Sequence, residues 1–351
     1  MKVVPSILFV SKILFTVPIK AAIELWNISS LLTWSFIWKK KIWLRLLMRE
    51  ATSICDRDTI EHVLNPLFEW INRLFMQPSR LSVLNQTIHY SWYYKPLDFD
   101  PRMDGTLIFV HGGGYALKLV PFGIIFLNHL TQLFPRMAII VHDYSVSIDS
   151  KRGQLPQQSH ELKQLYKYLR EDIGCKDITL LGESAGGHIV LYLLLLLQIE
   201  RLSLPEKVLA ISPWCNPLEQ TVRGSESVHY GVFDSLKSDH LDVFGIFLQS
   251  SKEVKNIIPL NLEADFQEIT WKNILDKTRI YISYGTHEIL CEQIAGFSNR
   301  LQNASNNSPN ITIFQDLHGA HIQPLLHLTK RNHDEWSQLS NVAPLVSFLQ
   351  H

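Results

Sequence analysis

Cysteine is scarce in this chain, and nowhere is it paired along the sequence. Four are present, Cys55, Cys175, Cys215 and Cys291, far apart and without a C-x-x-C. That pattern excludes a ribbon-type zinc site and a disulfide-dense framework. An excess of either charge is lacking too, because 33 basic side chains balance 33 acidic ones. With no basic repeat or recognition motif, nucleic acid is not expected as a partner. No internal repeat or low-complexity tract appears, which excludes a solenoid. The histidines form no set spaced for a metal ion, so neither metal nor cofactor is expected.

What is present is apolar bulk. Hydrophobic residues make up 46% and charged residues 19% of the 351, enough for a sizeable core and too little charge for wholesale disorder. The first 38 residues are mostly apolar and are followed by Lys39, Lys40 and Lys41. No uninterrupted span of about 20 apolar residues occurs there. Lys12 breaks the run 3–19, and Glu24 and Asn27 break 21–38. Trp26, Trp34, Trp38 and Trp43 crowd beside these lysines and Arg45, a combination that membrane interfaces favour. Residues 1–45 are therefore expected to form a membrane anchor or interfacial helices, with 46–351 as the main domain.

Five N-x-[ST] triplets begin at Asn27, Asn85, Asn303, Asn306 and Asn310, three of them in a polar, loop-like stretch at 303–312. They favour a lumenal catalytic domain at the endoplasmic reticulum membrane. The lysines after 38 would instead hold the downstream chain in the cytosol if 21–38 spans.

Residues 50–76 show helical spacing, broken near Pro66. "LSVLNQTIHYSWYYKPL" then alternates in the manner of one or two strands. From 105 onward short apolar runs (106–110, 137–144, 177–181, 207–212, 278–285, 310–315) are mostly separated by helical segments. Such alternation predicts an α/β fold, a mostly parallel sheet with helices on both faces. The leucines at 193–197 suit a buried helix rather than a bilayer span. The segment 217–256 has no clear strands and is expected to be a cap insertion above the sheet.

In open α/β sheets ligands sit beyond the carboxyl ends of the strands. Four such ends carry useful chemistry. After 106–110 comes "HGGGY", whose glycines can turn the backbone and aim N–H groups at an oxyanion. After 177–181 comes "GESAGG", a G-x-S-x-G between strand and helix, the setting of a nucleophile elbow around Ser184. Glu288 lies beyond 278–284, and His318 and His321 lie beyond 310–315. A serine needs an imidazole to take its proton and a carboxylate to orient that imidazole. The chain order Ser184, Glu288, histidine is the α/β-hydrolase order.

"HGGGY", "GESAGG", "DY" at 143–144, "SPW" at 212–214 and G-x-x-E-x-L-x-E at 285–292 resemble the hormone-sensitive-lipase branch of the α/β-hydrolases. With the apolar N-terminus, they are most similar to fungal steryl acetyl hydrolases, with arylacetamide deacetylases as near relatives. The resemblance covers roughly 105–325 and implies the α/β-hydrolase fold. It implies Ser184 as nucleophile, Glu288 as acid, a histidine as base, and the N–H groups of Gly113, Gly114 and Ala185 as oxyanion hole. The position of His321 in "GAH", about ten residues past the start of the last strand, fits the base; His318, in "HGA", is the alternative. Two departures stand out: the acid is glutamate rather than aspartate, and Ser145 replaces an arginine after "DY".

Among other candidates, Cys291 lacks an adjacent base and is read as structural, and His111 as a brace of the glycine loop. His142 and Asp143 are adjacent on a strand and so face opposite ways. The resemblance implies hydrolysis of an acetyl or short acyl ester of a bulky apolar alcohol such as a sterol. Hydrolysis of arylamides, short lipids or formamides, and a non-catalytic binding module, are the other readings of these motifs.

Overall fold

The structure, a computed structural model, describes residues 12–29, 42–53, 56–75, 81–84, 88–148, 154–218, 234–236, 244, 259–305, 308–328 and 330–351. Its frame is one eight-stranded sheet: β1 (Leu81–Leu84), β2 (Ile88–Tyr94), β3 (Thr106–Val110), β4 (Ala138–Asp143), β5 (Ile178–Glu183), β6 (Lys207–Ile211), β7 (Arg279–Gly285) and β8 (Ile311–Asp316). The spatial order is β1-β2-β4-β3-β5-β6-β7-β8. β1–β2 and β2–β4 pair antiparallel, and every other pairing is parallel.

The apolar runs are continuous because both faces are covered. Ile108, Val110, Ile140, Leu180, Val208, Ala210 and Ile282 enter one core. Their strand neighbours Leu107, Phe109, Ile139, Leu181, Leu209, Ile211 and Tyr281 enter the other. The first core lies under the helices Gln157–Tyr168, Ala185–Ile199, Glu268–Leu275 and Cys291–Ala304; the second lies under Pro121–Leu133 and Ala343–Gln350. Leu193 to Leu197 are buried within Ala185–Ile199, as that run predicts.

Several expectations need correction. The helical region does not break at Pro66. Asp56 caps it by accepting the Thr59 N–H at 2.8 Å, and helical turns continue from Arg57 to Phe75 through a π-turn at Ile60–Leu64. Pro66 comes just after this π-turn, where the regular α-helical bonding is already interrupted. The boundary at 45/46 falls inside the helix Ile42–Ser53, whose Ile42, Arg45 and Leu46 are buried. Arg45 is not an interfacial cation: its Nη1 donates to the His318 carbonyl at 2.9 Å. The polar stretch 303–312 joins the end of the helix Cys291–Ala304 to the start of β8 at Ile311. The Asn310 amide donates to the Leu275 carbonyl at 2.8 Å. Asn85, Asn306, Lys39–Lys41, Trp34, Trp38 and nearly all of 219–256 lie outside the described residues.

Near the N-terminus a π-turn at Lys12–Thr16 leads into the helix Val17–Ser29. That helix packs against Ile42–Ser53. Among the described residues, no helix is long and apolar enough to cross a membrane.

Candidate active site

Ser184 lies in the turn between β5 and the helix Ala185–Ile199, with φ +54° and ψ −119°. That backbone is strained for any residue with a Cβ, and it projects the side chain out of the turn. The turn closes only because Gly186 is bare: a Cβ there would sit 2.0 Å from the Val110 carbonyl oxygen. The Ser184 N–H donates to Ile211 O at 2.9 Å, and Ser184 O accepts from Trp214 N–H at 3.0 Å, which ties the elbow to the end of β6.

The loop after β3 is built from several sides. Gly113 and Gly114 take φ +89° and +59°, a region that glycine enters freely. The Tyr144 hydroxyl bonds to the carbonyls of His111 and Gly112 at 3.0 and 2.8 Å, and its ring stacks on His111. His111 Nδ1 contacts Gly112 O at 2.9 Å, so His111 does brace this loop. From the N-terminal helices, Asn65 bonds to Ala116 O and Lys118 N–H. Tyr115 donates to His188 Nδ1, while His188 Nε2 donates to Leu260 O. Burial drives the His188 pKa down to about 4, which keeps the ring neutral and able to accept.

His321 Nε2 lies 2.9 Å from Ser184 Oγ. Its Nδ1 faces Glu288 Oε2 at 3.7 Å, an ion-pair distance longer than a hydrogen bond. Both groups are buried. Burial pushes the His321 pKa down, but Glu288, Asp234 and Glu183 outweigh it and hold the ring above its ordinary 6.5. For Glu288, burial raises the carboxyl pKa despite the opposing pull of His321 and Ser212. His318 is elsewhere. Its Nδ1 meets His287 Nε2 at 2.9 Å, and its backbone N–H donates to Thr286 Oγ1.

Ser184, His321, Gly113 and Gly114 line a cavity of about 280 Å³ together with Glu183, Trp214, Phe244 and residues of the N-terminal helices, including Ile13, Leu64 and Phe68. Ala185 opens its helix, so its N–H has no acceptor within the helix. The remaining candidates sit apart from Ser184. Asp143 pairs with Lys118 Nζ at 2.8 Å, and burial drives the Cys291 pKa up to about 12. Ser145 occupies the missing arginine's place by donating its N–H and hydroxyl to Glu161 at 2.9 and 2.6 Å. Among the described residues no cluster of metal-ligating side chains occurs.

Three groups at the site had no distinct signal in the sequence. Glu183 accepts the Gly112 N–H at 2.5 Å. Ser212 lies in the quoted "SPW", yet nothing there foretells its bond to Glu288. Asp234 comes from a stretch without periodicity and meets the triad loops across 55 and 87 residues of chain.

Solved structures share this fold. An esterase of the bacterial hormone-sensitive lipase family superposes with a TM-score of 0.66 at 17% identity, over 88% of this chain and 97% of its own. A fungal esterase from Rhizomucor miehei gives 0.64 at 14%, over 85% and 91%. The protein thus has the α/β-hydrolase fold. A family model described as steryl acetyl hydrolase matches residues 7–348. Steryl acetyl hydrolase 1 of Saccharomyces cerevisiae is 30% identical over 344 residues, covering 87% of this chain and 80% of the relative. The chain belongs to the steryl acetyl hydrolase family and is a carboxylic ester hydrolase.

Proposed function

We propose that the protein removes the acetyl group from esters of a bulky apolar alcohol, a steryl acetate in the first instance, through Ser184, His321 and Glu288. The observation carrying this reading is the 2.9 Å approach of His321 Nε2 to Ser184 Oγ in a cavity walled by apolar side chains. The Ser184 hydroxyl attacks the ester carbonyl while His321 takes its proton. Glu288 stabilises the resulting imidazolium, and the N–H groups of Gly113, Gly114 and Ala185 receive the oxyanion. His321 then protonates the leaving alcohol. Water, activated by the same ring, releases acetate and restores Ser184. The sterol itself is supported by family membership and by the yeast relative's name.

The same reading places the enzyme against a bilayer. Phe15, Ile19, Ile23 and Trp26 are exposed at helical spacing, whereas Val17 and Ala21 face inward. The helix Val17–Ser29 has 13 residues, roughly 20 Å at 1.5 Å per residue, shorter than the hydrocarbon core of about 30 Å. It suits lying in the interface rather than crossing. A lumenal placement at the endoplasmic reticulum is part of this proposal, supported by the sequons at Asn27, Asn85, Asn303, Asn306 and Asn310. Protease protection of microsomes tests it, and digestion of the catalytic domain in sealed microsomes would overturn it.

The enzymatic test compares the purified full chain with Ser184→Ala on a steryl acetate and on 4-nitrophenyl acetate. The expected result is Ser184-dependent release of acetate from both, with labelling of Ser184 by a fluorophosphonate. Activity on the aryl ester alone removes the sterol. Activity that survives Ser184→Ala removes the nucleophile.

A further inference from the structure

We propose that Asp234, from the chain between β6 and β7, is a positioning residue that sets the acid loop and the base loop at their working separation. Its role rests on those assigned to Glu288 and His321 in the proposed reaction.

Asp234 is completely buried, and its carboxylate accepts three backbone N–H groups and the Ser235 hydroxyl. Oδ1 accepts the N–H of His321, the residue facing Ser184, at 2.8 Å. Oδ2 accepts the N–H of Ile289, the residue after Glu288, also at 2.8 Å. One carboxylate therefore grips both loops, one oxygen to each, and Oδ1 also accepts the Ser235 N–H at 2.7 Å. Bonds from N–H to an ionised acceptor are among the stronger ones in proteins. The gap they control is the 3.7 Å between His321 Nδ1 and Glu288 Oε2. A misplacement of about 1 Å in such a relay can cost about a hundredfold in rate.

Charge adds a second route of action. The groups facing His321 are Glu288, Asp234 and Glu183, all acidic, and each favours the imidazolium. Around Asp234 itself stand Arg45, Glu288 and the thiol of Cys291. An amide in its place has one acceptor oxygen and one donor nitrogen. It could hold one loop, while the other N–H would meet a donor.

The test is Asp234→Asn in the purified full chain with 4-nitrophenyl acetate, read as kcat, KM and the acidic limb of the kcat/KM profile. We expect kcat to fall about tenfold to a hundredfold, with KM nearly unchanged. Losing a negative charge beside His321 lowers its pKa, so the acidic limb should move to lower pH. Either change without the other overturns the proposal, because lost packing alone would slow the enzyme and leave the limb in place. If the Asn variant does not fold, Asp234→Glu decides. It keeps the charge but displaces the loops, so kcat should fall with the limb in place, and a parent-like kcat overturns the idea. Parent activity that needs Ser184 and His321 is the control, and its failure would instead remove the triad assignment.

Discussion

The Ser212 hydroxyl donates to Glu288 Oε2 over 2.6 Å and accepts the backbone N–H of Ile322 at 2.9 Å. A single side chain at the end of β6 thus links the triad acid to the residue after the triad base. Its own backbone is held at φ +47°, and its N–H donates to Ser283 O at 2.6 Å. Removing the hydroxyl leaves a buried N–H and a carboxylate oxygen without their partner. For Ser212→Ala we expect a loss of about 1–3 kcal/mol of stability. Thermal melting measures that loss. Because the carboxylate would swing from its place, kcat should also fall, by about tenfold. A variant with parent-like melting and turnover would show that the link has no consequence.

The pairing of His321 with Glu288 makes a signed prediction about pH. A protonated His321 cannot accept the serine proton, so activity rises as pH climbs through its pKa. Burial depresses that pKa, and the acidic neighbours, Glu288 foremost, raise it above 6.5. The acidic limb of kcat/KM should therefore have its midpoint above 6.5. In Glu288→Gln burial faces only Asp234 and Glu183, so the midpoint should fall, with kcat lower by about 10⁴-fold. A midpoint that rises in the Gln variant would contradict the stated balance.

Choice of base is open to direct test. His321→Ala should reduce kcat by about 10⁴-fold or more, as when a triad member is removed. His318→Asn should stay close to the parent. Asparagine tolerates the positive φ of +64° at this position, and the ring it replaces contacts His287 rather than Ser184. Steady-state kinetics of the two variants, with fluorophosphonate labelling, separates the assignments.

Much of this architecture was legible because it depends on local pattern. Runs such as 106–110 and 207–212 are apolar throughout, which marks strands covered on both faces. The glycines around Ser184 announce a turn that no side chain could fit. Distance along the chain from β8, which a short loop preserves, favours His321 over His318. Other groups were hidden because their partners are remote. Asp234 meets the acid and base loops through long-range backbone bonds, and a lone aspartate in an aperiodic segment carries no sign of that. Arg45 looked like an interfacial cation because tryptophans and lysines surround it in sequence. Only the packing of Ile42 and Leu46 turns it inward. Pro66 reads as a breaker in sequence, but a π-turn just before it carries the helical turns past it.

Glu183, next to the nucleophile, yields a prediction that separates geometry from charge. Its Oε1 accepts the Gly112 N–H, and Gly112 precedes the two glycines assigned to the oxyanion. Burial raises its pKa from 4.5 to about 7, against the pull of the Gly112 N–H and of His321. Glu183→Gln retains an acceptor for Gly112, so turnover should stay within a few-fold of the parent. Glu183→Ala frees the loop and should lower kcat about tenfold or more, in the manner of a weakened oxyanion site. The sign of the shift also fixes a stability trend. Between pH 4.5 and about 7 the folded protein holds a proton that the unfolded chain has released, so this group makes stability fall as pH rises. Glutamine removes that titration. The melting temperature of Glu183→Gln relative to the parent should therefore increase from pH 5 to pH 8. A difference that shrinks over that range would mean that Glu183 is ionised throughout and held by its Gly112 bond rather than opposed by burial.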